Sequence, residues 1–388
     1  MRCRDRGRGR HEHAFSREYD EPNRRSRGPP GPGACVADVL ADGRDDDAAG
    51  RLRDCRAQSP FSRGRGETAF RAASGPGVAE PALARIAHDY SIVPGQGLPT
   101  IVDAPYAGHS AMIADYQPGQ SLTETLRGNG VTRLYLTDWR SATDDMKDFE
   151  IDQYLAELNV CVDELGGRVN LVGLCQGGWM SAMYAARFPH KVASLVLAGA
   201  PIDTDAGDGP IRRMAHAYPL SFYEELVAMG GGLMRGRFML RGWKNMHPDE
   251  HSLSEHVDLY AHLDEPDYLR KREAFASWYE NPIDLPGRWY LQAIEQIFKE
   301  NRLAKGAFVA LGRTLDLKNV RCPVYLLAGE ADDITTPEQV FNARDCVGTP
   351  AAQVTSRLVP GGHIGLFMGS RTLKAVWPEI ARWIAAQR

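Results

Sequence analysis

Apolar runs bounded by polar, turn-forming residues recur along the chain from about residue 76 onward. The runs at 100–104, 133–137, 169–173, 192–198, 324–328 and 356–359 are short, and most are continuous in apolar residues rather than alternating. That pattern predicts parallel strands covered on both faces. Helix-period segments separate them at 121–129, 151–165, 180–188 and 373–387. Strand and helix in alternation predict an α/β domain over 76–388 with a mostly parallel, doubly wound sheet and right-handed crossovers. From Ile202 to about Asn319 the strand rhythm stops. Helix-forming, aromatic-rich stretches take over, including Val227-Ala228-Met229, Leu233-Met234, Phe238-Met239-Leu240, Trp243 and Met246. Residues 202–319 therefore read as a helical cap inserted between core strands, over the carboxyl edge of the sheet. Its methionines and aromatics either line an apolar pocket or pack the cap on its own body.

Composition changes the picture at the N-terminus. Residues 1–75 are rich in Arg, Gly, Asp and Pro and hold no lysine; the first in the chain is Lys147. Too few apolar side chains sit there at regular spacing to offset the entropy of ordering. The expectation for 1–75 is disorder, or sequence translated upstream of the true start, with a basic interaction tail as the lesser alternative. The net charge of −4 is mixed in sign and gives no case for nucleic acid or anionic lipid. Seven cysteines lie scattered without disulfide-framework or metal-ligand spacing, which suggests a reducing, cytoplasmic setting. No apolar run reaches bilayer-spanning length, and no signal-peptide core is present.

The candidate chemistry centres on Gly173-Leu174-Cys175-Gln176-Gly177-Gly178, which follows the strand at 169–173. Gly-x-Cys-x-Gly-Gly at a strand-to-helix turn describes a nucleophile elbow with sulfur in place of the usual hydroxyl. Glycine is needed beside the turn because Cβ atoms there would collide. The helix N-terminus behind it favours a thiolate and an oxyanion. The alternative is a small buried cysteine, but partners follow in the right order. A thiol needs a base, and the base an orienting acid. His363, at the end of a strand and between glycines, is the expected base. Asp332, in the acidic turn after 324–328, is the expected acid, with Asp333 as fallback. Oxyanion donors are expected from the backbone N–H groups of Gln176 and, in the loop 105–109, Ala107. Tyr106, Trp139 and Trp179 are candidates for substrate contact, and His109 for substrate contact or for shaping its loop, rather than for a second catalytic base. No paired His/Cys spacing and no Gly-x-Gly-x-x-Gly after an early strand is present, so neither a metal nor a cofactor is expected.

Stretches 115–122, 135–140 and 152–155, with the elbow and Pro360-Gly361-Gly362-His363-Ile364-Gly365, resemble polyhydroxyalkanoate synthases. The likeness is greatest to the short synthases that work with a second subunit. Stretches 284–292, 329–334 and 367–371, the Cys175-Gln176 pair and Ala107-Gly108-His109 resemble the intracellular polyhydroxybutyrate depolymerases. Synthases place a histidine where this chain has Asp333, and depolymerases lack the Gly177-Gly178 pair. Both resemblances imply the α/β-hydrolase fold and a triad of Cys175, Asp332 and His363. The leading expectation is a cysteine ester hydrolase acting on polyhydroxyalkanoate or hydroxyacyl esters. Its alternative is a synthase polymerising hydroxyacyl-coenzyme A, a thioester taken as substrate, with a second subunit. A third reading is a non-catalytic protein that binds polyester granules. All three imply association with a polyester or its granule.

Overall fold

A computed structural model describes residues 85–92, 95–246 and 265–387; the disorder expected for 1–75 lies outside them. Among the described residues eleven strands are present: β1 (Arg85–Asp89), β2 (Thr100–Asp103), β3 (Leu134–Trp139), β4 (Val169–Leu174), β5 (Val192–Ala198), β6 (Leu233–Met234), β7 (Leu285–Pro286), β8 (Val309–Ala310), β9 (Arg313–Thr314), β10 (Val324–Gly329) and β11 (Val354–Val359). Seven form one sheet in the order β1-β3-β2-β4-β5-β10-β11. All its pairings are parallel except β1 with β3. The edge strand β1 was not predicted, because Arg85-Ile86-Ala87-His88-Asp89 holds no apolar run.

Side chains alternate across the pleat, and both faces are covered. Ile101, Leu171, Leu195 and Leu326 join one hydrophobic core with the helices Ile151–Glu164 and Gln176–Arg187. Their chain neighbours Val102, Val172, Val196 and Leu327 join the other, with Leu122–Gly128 and Trp377–Ala385. This is why the strands read as continuous apolar runs.

Two helices depart from the sequence reading. The helix after Cys175 begins at Gln176 rather than 180 and is buried from Gln176 to Ala186, so Gly177 and Gly178 lie in its first turn. The helix expected at 373–387 is two, Ser370–Ala375 and Trp377–Ala385. Pro378 has no N–H to continue the ladder across that junction.

Between β5 and β10 run the helices Pro210–Ala217, Leu220–Met229, Gly236–Met246, Pro266–Tyr279 and Gly287–Gln292. The last continues into a π-helical stretch, Ala293–Lys299. Leu233-Met234 is not helical, as read from sequence, but pairs with Leu285–Pro286 as the antiparallel ribbon β6–β7. A second ribbon joins β8 and β9. Strand order, elbow and insertion together are an α/β-hydrolase fold.

Candidate active site

Cys175 sits where β4 turns into its helix, with φ 51° and ψ −117°. A non-glycine residue seldom adopts such a backbone, and the strain must be held by its surroundings. The Cys175 N–H donates to Ala198 O at 2.8 Å, and Gly178 N–H to Cys175 O at 2.9 Å. The glycines are required by close approach. A Cβ on Gly173 would lie 2.4 Å from Gly178 Cα, one on Gly177 2.1 Å from Asp103 O, and one on Gly178 2.3 Å from Ala200 Cβ. The elbow helix therefore packs directly on β2, β4 and the residues after β5, which fixes the height of the thiol above the sheet.

The acid and base come from the neighbouring strand ends. Glu330 N–H bonds to Val359 O at 2.8 Å and Ala331 N–H to Gly361 O at 3.1 Å, lashing the turn after β10 to the turn after β11. Asp332 Oδ1 accepts the N–H groups of Ile334 at 3.0 Å and Thr335 at 2.8 Å. Both carboxylate oxygens also face His363 Nδ1, at 3.0 and 2.8 Å. Asp332 and His363 are buried, whereas Asp333 is exposed. With Nδ1 engaged by Asp332, Nε2 is left for Cys175, which is near enough to act on the imidazole. Burial alone would push the imidazole pKa down. The Cys175 and Asp332 charges, with their hydrogen bonds, outweigh it and hold His363 well above its ordinary value. The ring meets Phe367 edge-on, centroids 5.4 Å apart. Gly199 lies against it, since a Cβ there would come within 3.2 Å of His363 Cε1.

The loop after β2 lies beside the elbow. Tyr106 N–H donates to Gln176 Oε1, and Gly108 N–H donates to Tyr106 O at 2.6 Å. Among the described residues neither the Ala107 N–H nor the Gln176 N–H has an acceptor. The Gln176 side chain, which the sequence reading passed over, thus ties that loop to the elbow.

The expected substrate contacts divide. Tyr106, Trp139 and Trp179 are buried to 3 % exposure or less. They pack with Tyr154 and Trp289 into one aromatic layer, in which Tyr106 and Trp289 meet at 5.3 Å and Trp179 stacks on Trp289 at 5.8 Å. The Tyr154 and Tyr106 hydroxyls bond at 2.7 Å. These three residues support the site from behind and present no open surface, contrary to the sequence reading. Trp289, reaching in from the insertion, closes the layer. His109 is half-buried among Trp243, Trp278 and Tyr279. Burial pushes its pKa down, against a hydrogen bond to the Tyr279 carbonyl.

One further buried acid stands at the base of the site. Asp103 ends β2 and takes hydrogen bonds from Ser181 Oγ at 3.1 Å and Thr137 Oγ1 at 3.2 Å. Burial pushes its carboxyl up to about 7, against the hydrogen bonds from Ser181, Thr137 and Trp139. Among the described residues no group of three His, Cys, Asp or Glu is placed to hold a metal ion, and no helix is long and apolar enough to cross a membrane.

Comparison with known proteins adds relatives to this geometry. The chain is 29% identical to a poly(3-hydroxyalkanoate) polymerase subunit PhaC of Haloferax mediterranei over 74% of its own length and 57% of that protein's. It is 27% identical to the PhaC subunit of Allochromatium vinosum over 73% of its own length and 78% of the relative's. A solved structure of a thermophilic esterase from Thermogutta terrifontis aligns with TM-score 0.47 and 16% identity, covering 78% of this chain and 94% of that one. The relatives stand closer to the synthase alternative than to the hydrolase expected first. The chain has the α/β-hydrolase fold. Residues 78–355 match the family described as "Protein of unknown function (DUF3141)", and the chain belongs to that family.

Proposed function

We propose that the chain is a cysteine acyltransferase that builds polyester from hydroxyacyl thioesters, in the manner of a polyhydroxyalkanoate synthase. The observation that carries this reading is the alignment of Cys175, His363 and Asp332 over three strand ends of one sheet. The names of the relatives favour polymerisation over hydrolysis. Asp332 holds the proton of His363 on Nδ1, so Nε2 takes the proton of Cys175. The thiolate attacks the thioester carbonyl, and the oxyanion is held by the N–H groups of Gln176 and Ala107. Collapse forms the acyl-Cys175 thioester and expels the carrier thiolate, which takes its proton back from His363. The hydroxyl of a second hydroxyacyl group then attacks the acyl carbonyl. Its proton passes to His363 and on to the Cys175 sulfur as the new ester leaves. Coenzyme A is the fitting carrier, polyester or its granule is the fitting partner, and a second subunit would belong to the same reading.

Purified protein supplied with 3-hydroxybutyryl-coenzyme A tests this. Coenzyme A release with growing polymer is expected, and Cys175→Ala should abolish both. Release of free hydroxybutyrate without polymer, or cleavage of added oligomer, would give the reaction to the hydrolase. Granule binding without turnover, unchanged in Cys175→Ala, would leave only the non-catalytic reading.

A further inference from the structure

We propose that His109 is a positioning residue, which locks the loop 105–110 onto the insertion between β5 and β10 and so sets the direction of the Ala107 N–H; this rests on the acyl-transfer reading of the site. Ala107 lies between two differently anchored neighbours. On its N-terminal side, Tyr106 is pinned by core elements, through Gln176 Oε1, the Tyr154 hydroxyl and the aromatic layer. On its C-terminal side the pins before Ala111, whose N–H bonds to Asp138 of β3 at 2.9 Å, come from the insertion. Ile283 N–H donates to Gly108 O at 2.6 Å, and Trp278 Nε1–H donates to Ser110 O at 3.2 Å.

His109 makes the largest of these contacts. Its Nε2 lies 2.9 Å from Tyr279 O. A carbonyl can only accept, so Nε2 carries the proton. The ring stacks on Trp243 at 5.1 Å and 28°, meets Trp278 at 4.5 Å, and stacks on Tyr279 at 5.6 Å and 16°. Between the two anchor sets, Gly108 holds φ +106°, and a Cβ there would come within 2.0 Å of Trp243 Cη2. The chain reverses through a three-residue turn, with Gly108 N–H donating to Tyr106 O. Without the imidazole, the far side of Ala107 would keep, among the described residues, the Gly108 and Ser110 carbonyl contacts with the insertion and the Ala111 N–H bond to Asp138 Oδ1 at 2.9 Å.

The consequence is confined to steps that develop an oxyanion. A donor displaced by about 1 Å forfeits on the order of 10²-fold in rate. His109→Ala is therefore expected to lower kcat on 3-hydroxybutyryl-coenzyme A by ~10²-fold, with KM changed by less than about threefold. Alkylation of Cys175 by iodoacetamide should stay within about twofold of the parent chain, because displacement at a saturated carbon develops no oxyanion. His109→Phe keeps the stacking and loses the donated hydrogen bond, so an intermediate loss of ~10-fold is expected, and it also serves if His109→Ala does not fold. Trp243→Ala, made on the insertion side, should reproduce the pattern of His109→Ala. An unchanged kcat in His109→Ala, or alkylation falling in parallel with kcat, overturns the proposal. The parent chain's own turnover tests acyl transfer separately. Should it hydrolyse an aryl 3-hydroxybutyrate instead, the same variant ratios on that ester still decide the role of His109.

Discussion

Asp103→Asn offers a perturbation whose magnitude follows from the structure. The native carboxyl is fully buried and keeps its proton up to about pH 7, against 3.8 in the ordinary state. Below pH 4 folded and unfolded chains both carry the proton, and the group does not discriminate between them. As pH rises, the unfolded carboxyl ionises first while the native one stays neutral. The unfolded state then binds fewer protons, so this group's contribution to stability falls across roughly pH 4–7 and stays level above. The whole displacement corresponds to about 4 kcal/mol, of which about 3 falls between pH 4.5 and 8. Asparagine keeps the volume and can still accept from one of the Ser181 and Thr137 hydroxyls, at a cost of about 1 kcal/mol in hydrogen-bond quality. The variant is therefore expected to match the parent closely at pH 4.5 and to be about 3 kcal/mol more stable at pH 8. Urea unfolding at the two pH values measures it, with the m-value checked for constancy. Parallel pH dependences for parent and variant would refute the assignment of the buried proton to Asp103.

Three further outcomes are expected. Asp332→Asn should lower kcat by ~10³-fold or more by releasing the His363 tautomer, with the fold intact by circular dichroism. In Gly178→Ala the added methyl meets Ala200 Cβ at 2.3 Å; overpacking there should cost about 1–3 kcal/mol, read as a lower midpoint of thermal unfolding. In Gly199→Ala the methyl presses on the imidazole, at a backbone with φ +54°. Activity should fall about 10-fold, while the left-handed backbone costs about 1–2 kcal/mol of stability.

What the sequence made legible, and what it hid, follows from how far apart the contacting residues lie. Cys175, Asp332 and His363 each stand just past the carboxyl end of a parallel strand, and β4, β10 and β11 lie on the same side of the sheet order. Topology alone brings such residues to one edge, so strand pattern and chain order sufficed to name them. The short polar edge strand β1 carried no such pattern. The aromatic residues were harder, because a tryptophan beside an elbow can line a pocket or fill the space beneath it with the same local sequence. What decides for Trp179 is Trp289, 110 positions later, arriving flat against it from the insertion. His109 was ambiguous for the same reason: its neighbours Trp243, Trp278 and Tyr279 are brought to it only when the insertion docks on the loop after β2. Local pattern thus sufficed to single out Cys175 and His363, while the setting of the loop that carries Ala107 depends on contacts made across more than 130 residues. Under the proposed acyl transfer, water and a chain-end hydroxyl would compete for one acyl-thioester, and the winner would be set by what covers Cys175 rather than by Cys175 itself.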